Sequence, residues 1–452
     1  MDPYLGYEIA ILLVLVYALV VYFLYRAGYL GPERALSLFG PALMIKTRRG
    51  RAWIDRVGRF RRFWSVLADA GITLAAVSMI SIVALLLVEA ALALQLPASA
   101  APQVSEALGI PGINPIIPVT YGIVALVVGV VIHELFHGFV ARSQGIGVKS
   151  LGILWVVVPV GAFVEQDDED MTKAPLRRRD RVAAAGVLAN FILALVFFLA
   201  VSGLVASSVQ PNATGVGILY VVPSTPASNA TLAAGDIITS INGTATPTPD
   251  ALIDYLDASH PGQVVELTFY SSAASGVVTK SVTLESAETY SHQSSDANKG
   301  FLGVESAFLT PTQLKGTYVA PWNGPGGPIS GAFDWVVLPL AGLQPMQGPA
   351  ENFFHLSGPL GGMNAGDFWI LVNVLYWLAW IDLLLGLSNA LPLFPLDGGL
   401  LFRDFVQSIA QRVKRGWDAK QLDRFAGQAA TFASLLVVVL IVWQFVVPRL
   451  HP

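Results

Sequence analysis

VIHELFHGFV, residues 131–140, ends a stretch with no charged residue from Ala107 to Ile132. A run of that length and composition is long enough to cross a bilayer as a helix, which needs roughly 20 apolar residues. It nevertheless finishes in two histidines and a glutamate. Residues four apart share a helix face, so His133 and His137 can bind one ion together, with Glu134 beside them within reach of water on that ion. H-E-x-x-H on a helix is the pattern of zinc hydrolases. Ionisable side chains inside a membrane are costly and mark function by default. His133 lies eight to nine residues from the end of its span, roughly 12 Å below the surface at 1.5 Å per residue.

Composition supports a membrane setting. Of 452 residues, 54% are hydrophobic and 13% charged, against about 25% charged in soluble domains. The net charge of −4 gives no case for nucleic acid as a partner. Cysteine is absent, which excludes thiolate nucleophiles and cysteine-bound zinc. Six transmembrane helices are expected, at about 9–25, 65–92, 117–141, 183–207, 366–390 and 426–447. The acidic N-terminus lacks the basic region of a signal peptide, so the first run reads as retained. Of the 27 Lys and Arg, 10 fall at 26–63, 7 at 142–181 and 6 at 403–424, and only 3 at 208–365. By the positive-inside rule the first three loops face the cytoplasm and 208–365 faces outside.

The fold class expected is a polytopic α-helical membrane protein with an extramembrane α+β domain. Five regions follow: N-terminal helices with a basic inner loop (1–115), a core with H-E-x-x-H and a re-entrant segment (116–208), the α+β domain (209–310), an outer linker or interfacial segment (311–365), and C-terminal helices (366–452). SLGILWVVVPVGAFVEQ (150–166) is too short and too broken by Pro159 and Gly161 to cross. It reads as extended chain, which survives at membrane depth only when buried in protein or lining a cavity. In the outer region, GILYVV (217–222) and VVELTFY (264–270) have strand character. DALIDYLDA (250–258) has helical spacing, with Ala251, Leu252, Tyr255 and Leu256 on one side.

A catalytic zinc takes three protein ligands and leaves one position open for water. The other histidines fall on the outer side or at the C-terminal end, so an acidic residue at the depth of the inner leaflet is required. LSNALPLFPLDGGLLF (387–402) offers Asp397, with Gly398 and Gly399 allowing close backbone approach and Pro392 and Pro395 breaking the helix. A helix-terminal Asp at a turn is the plainer reading of that stretch alone.

HELFH, GVLAN (186–190) and NALPLFPLDGG, in this order on separate spans, resemble the site-2 protease family of intramembrane zinc metalloproteases. The resemblance covers about 120–190 and 370–402. It implies one Zn2+ per chain held by His133, His137 and Asp397, with Glu134 as general base and Asn389 binding substrate backbone or the oxyanion. Asn190 matches another family position, where helix packing competes with a catalytic role. The extended 150–164 segment would capture an unwound transmembrane protein substrate as an added strand, with Val157, Val160, Gly161 and Phe163 as expected contacts. GILYVVPSTPASNATLAAGDIITSING resembles the start of a PDZ domain. Its peptide ligand would lie between strand 217–222 and helix 250–258, unless the domain acts only as a size filter. The expected setting is the plasma membrane, with the active site towards the cytoplasm and the PDZ-like domain outside. Three rivals make different demands. Another H-E-x-x-H membrane protease would take a downstream glutamate as ligand, and the inner segments after span five have none. An inactive scaffold need not keep Glu134. A metal transporter would need polar residues along several spans.

Overall fold

The structure, a computed structural model, describes residues 5–31, 34–107, 109–307, 309–323, 327–339 and 348–450; at 5–10, 100, 107 and 158–160 it describes the backbone only. Two compact units divide the chain: residues 1–195 with 378–452, and residues 196–377. This partition differs from the expected five regions. The first region and most of the second and of the C-terminal one fall in the first unit. The α+β region and the segment after it fall in the second.

Eight helices shape the first unit or enter it: α1 (Leu5–Arg26), α2 (Arg51–Gly58), α3 (Arg61–Leu92), α4 (Val119–Ser143), α5 (Leu176–Ser208), α6 (Ala365–Asn389), α7 (Asp397–Val413) and α8 (Ala419–Val446). Among the described residues α3, α4, α5, α6 and α8 are long and apolar enough to cross a membrane, and the described apolar part of α1, Ile11–Arg26, is shorter. The chain is thus an α-helical membrane protein with a separate β domain. The ends of these helices follow local chemistry. α4 starts after Pro118, whose fixed φ suits a helix entry. It stops at Gln144, followed by Gly145 at φ +85, the left-handed residue that closes a helix C-terminus without a Cβ penalty. α8 starts at a capping box formed by Asp418 and Gln421.

The extended reading of 150–166 holds, and the sheet is larger than expected. β1 (Leu36–Phe39), β2 (Ala42–Thr47), β3 (Val148–Val156) and β4 (Val158–Gln166) form one antiparallel sheet in that order. Residues 36–47, expected to be only a basic loop, supply half of its strands. Gly152 of β3 lies where a Cβ would strike the Phe163 ring at 2.3 Å and the Ile45 carbonyl at 2.4 Å. That glycine lets Phe163 fold across the hairpin.

The second unit contains an antiparallel sheet of β5 (Val216–Val221), β6 (Ile237–Ile241), β7 (Val264–Ser271), β8 (Gly276–Thr283) and β9 (Val304–Ser306), in the order β8-β7-β6-β5-β9, with the short strand Thr244–Ala245 beside β6. Along β7, Val265, Leu267 and Phe269 are buried, the alternation of a strand with one covered face. They pack with Ile218, Ile238 and Leu252, the last from the helix Pro249–Asp257. One expectation is corrected here. A groove opening on strand 217–222 needs that strand at an edge, but β5 pairs with β6 on one side and β9 on the other. Among the described residues the edge strand next to β5 is β9, and β8 is the edge at the opposite end of the sheet. The β9 segment Gly303–Ser306 is too short to show an alternating pattern in the sequence. Within the expected outer linker or interfacial segment (311–365), Gly327–Val337 is a helix, and residues 340–347 lie outside the described residues.

Phe269→Ala in the full chain is expected to destabilise the β domain by about 3–5 kcal/mol, the usual cost of deleting a buried aromatic ring. A fall in the urea midpoint of the detergent-solubilised protein would show it.

Candidate active site

α4 presents His133 and His137 one turn apart, both buried. Asp397, the first residue of α7, reaches them. Its Oδ2 lies 3.3 Å from Nε2 of His133 and 3.3 Å from Nε2 of His137, and the two Nε2 atoms are 3.2 Å apart. Bonds of about 2.0–2.1 Å at tetrahedral angles would set zinc ligands about 3.3–3.4 Å from one another. The triangle therefore has the dimensions of one face of a zinc coordination sphere. Among the described residues these three form the only His/Asp/Glu group with metal-binding geometry.

The far sides of both rings are held. His137 Nδ1 lies 2.7 Å from the Val182 carbonyl of α5. A carbonyl only accepts, so the proton sits on Nδ1 and Nε2 offers its lone pair. His133 Nδ1 lies 3.1 Å from the amide Nδ2 of Asn190, whose Oδ1 is buried with no hydrogen bond among the described residues. Turning that amide over would let Oδ1 accept from a protonated Nδ1, satisfy the orphaned oxygen and free Nε2 of His133 for the metal.

Gly186, one turn before Asn190 on α5, explains the rest of that motif. A Cβ there would stand 2.4 Å from Nε2 of His133 and 2.5 Å from Nε2 of His137. Any side chain would fill the space beside the ligand atoms. Gly398 and Gly399 play the same part at α7, where a Cβ would meet the Ala390 and Leu391 carbonyls at 2.3 Å and the Leu393 carbonyl at 2.9 Å. Without side chains there, the start of α7 folds back against the end of α6 and delivers Asp397. Further along α7, Asp404 accepts from Arg179 of α5 at 2.8 Å. Burial pushes the Asp404 carboxyl above its ordinary pKa, and Arg179 pulls it back.

Glu134 turns towards β4. Its Oε2 accepts from the Val164 backbone N–H at 3.0 Å. Neither this N–H nor the Val182 carbonyl has a residue-type signature, so neither was visible in the sequence.

The other expected site residues are placed as follows. Asn389 donates from Nδ2 to the Leu385 carbonyl of its own helix at 2.9 Å, and among the described residues no hydrogen bond joins it to the His–His–Asp group. Val157 is the turn between β3 and β4, at φ +61, a conformation rare for a β-branched residue. It is therefore not part of a straight strand edge. Gly161 and Phe163 lie on β4, opposite Leu154 and Gly152. Val160 is on the same strand, and its side chain lies outside the described residues. Asp382 of α6 is buried without a hydrogen bond among the described residues. It stands against α4, where a Cβ on Gly129 would be 2.8 Å from its Oδ1.

A family model described as peptidase family M50 matches residues 121–434, more than half of the chain. The chain belongs to peptidase family M50. The resemblance to site-2 proteases drawn from its motifs is borne out. Among its relatives, an uncharacterized protein of Methanocaldococcus jannaschii is 28% identical over 301 residues, 66% of this chain and 61% of that protein. Zinc metalloprotease RasP of Oceanobacillus iheyensis is 27% identical over 258 residues, 56% and 57% of the two chains. Metalloprotease MmpA of Caulobacter vibrioides is 24% identical over 376 residues, 64% and 86%. The chain thus spans about three-fifths of the length of the first two.

For this M50 member, Gly186→Ala is expected to empty the site, lowering bound zinc from about one per chain to a small fraction by elemental analysis. Asn190→Ala is expected to weaken zinc roughly 10–100-fold in a chelator competition, the usual cost of losing a ligand's outer hydrogen-bond partner. Unchanged melting temperatures would separate both effects from misfolding.

Proposed function

We propose that the chain is a zinc-dependent intramembrane metalloendopeptidase that hydrolyses peptide bonds in or near transmembrane segments of membrane proteins. The observation that carries this reading is the 3.2–3.3 Å triangle of His133, His137 and Asp397 beside Glu134. These three residues hold the ion. When bound, zinc polarises the scissile carbonyl and makes water acidic enough to attack near neutral pH.

Glu134 removes the proton from the attacking water and hands it to the leaving amine. The Val164 N–H keeps its carboxylate aimed while the proton is in transit. Asn389 serves the oxyanion only if its amide leaves the Leu385 carbonyl, and substrate arrival would drive that exchange. A substrate helix hides its amides in its own hydrogen bonds and must unwind to be cut. β4 is the edge of its sheet, and side-by-side backbone groups repeat every second residue. The edge that offers Val164 N–H to Glu134 therefore offers Ala162 N–H to an added strand, which would place substrate next to the base.

Six spans, α1 included, put both termini and the β domain outside and the zinc site towards the cytoplasm of a plasma membrane. The distribution of Lys and Arg supports this orientation. The β domain is PDZ-like in this reading. A peptide would add to the outer edge of β9 rather than to β5, or the domain would exclude bulky substrates by size.

Glu134→Gln should keep about one zinc per chain and lose about 10²–10⁴-fold in cleavage of a single-span substrate, the range for a general base. Zinc retention with undiminished cleavage would sink the mechanism. Orientation is open to a clean test because the chain has no cysteine. A cysteine placed at Ser272 should react with an impermeant maleimide on intact cells, and one at Arg415 only after lysis.

A further inference from the structure

An open cavity of about 1230 Å³ lies away from the zinc site, between the end of α1, the strands β1–β4 and the start of α2. Six cations line it: Arg34, Lys46, Arg48, Arg49, Arg51 and Lys149. Two of them are paired on the wall, Lys46 with Glu165 at 3.0 Å and Lys149 with Asp168 at 3.0 Å. The four arginines form no ion pair among the described residues. Three carboxylates, Glu165, Asp167 and Asp168, also line the cavity, so its six cations leave an excess of three positive charges.

Three further features point the same way. Arg51 opens α2, and this helix has Gly50 at its N-cap, no side-chain cap and no acidic residue in its first turn. The N–H groups of Arg51, Trp53 and Ile54 donate to the Arg48 and Gly50 carbonyls, so the helix favours an anion at that end chiefly through its dipole. Ser37, on the cavity wall, is 7% exposed, and its hydroxyl has no hydrogen-bond partner among the described residues. The cavity also has an apolar side. Tyr25, in the last turn of the apolar helix α1, is 68% exposed, and Leu38 of β1 is 44% exposed. Cations beside exposed apolar surface, at the end of an apolar helix, match an amphiphile better than a free anion.

We infer that this cavity binds the phosphate-bearing headgroup of an anionic lipid, with the arginines and the α2 N-terminus on the phosphate and Tyr25 and Leu38 along the start of the acyl chains. Nothing in this inference depends on peptidase activity. Its test is therefore separate from that of the proposed function.

The full chain in neutral detergent is titrated with dioctanoyl phosphatidylglycerol, dioctanoyl phosphatidylcholine and glycerol phosphate, with binding read by thermophoresis. The phosphatidylglycerol should bind at least tenfold more tightly than the other two. Arg48→Gln/Arg49→Gln/Arg51→Gln should weaken it on the order of a hundredfold, from roughly fivefold per arginine. Arg59→Gln/Arg61→Gln/Arg62→Gln removes the same charge outside the cavity and should change binding less than threefold. Arg34→Gln, on a different segment, should cost roughly fivefold and guards against misfolding of the triple variant. Equal losses in the two triple variants, or equal binding of the two lipids, would overturn the site. Glycerol phosphate binding as tightly as phosphatidylglycerol would overturn the lipid as its occupant.

Discussion

Two imidazole nitrogens and a carboxylate oxygen stand 3.2–3.3 Å apart in a region almost closed to water. Lone pairs placed so close repel one another, and a low-dielectric surrounding screens that repulsion poorly. Protonating one imidazole would relieve part of it. A divalent cation at the centre turns all three contacts into attractions. Much of the first unit serves to bring α4, α5 and α7 to that point. The anchors on the far sides of the rings, Val182 and Asn190, keep both Nε2 atoms turned inwards.

Close approach of helices in this unit depends on missing side chains. Gly186 admits α5 to the histidines, and Gly398 and Gly399 admit the start of α7 to the end of α6. Gly129 makes room on α4 for the buried carboxyl of Asp382 in the same way. In each case the glycine faces a polar group or a carbonyl, joined at Gly129 by the Leu385 side chain. Within a membrane, helix association draws on packing and polar contacts rather than on water exclusion. Small residues beside polar groups serve both.

The sequence made the helices legible because a bilayer demands long apolar runs, and the H-E-x-x-H spacing identified His133, Glu134 and His137 because a helix puts them on one side. Asp397 was legible through its depth and its two glycines. The anchors were not. A backbone carbonyl at Val182 and a backbone N–H at Val164 exist at every residue, and only the fold selects them. Strand pairing was equally hidden. Residues 36–47 lie far in sequence from the hairpin they extend, and the cations that flank them within 26–63 disguised them as a loop. β9 is short enough that its place beside β5 follows from tertiary pairing alone, which moved the edge at that end of the β-domain sheet from β5 to β9.

β4 links the two sides of the first unit. Val164 holds Glu134 through its backbone, and the next residue, Glu165, holds Lys46 on the cavity wall and also accepts from Ser150 Oγ of β3. Adjacent residues of one strand thus fix the base and form part of a basic surface. A strand is stiff along its length, and its pairs to β3 tie it to β2, which carries Lys46. The position of Glu134 therefore depends on the register of the whole sheet, including the strands that the basic loop contributes. Shifting β2 would move Lys46 and Glu165 together and disturb the N–H that aims the carboxylate. The basic N-terminal segment, distant from His133, His137 and Asp397 in sequence, is on this account part of what positions Glu134.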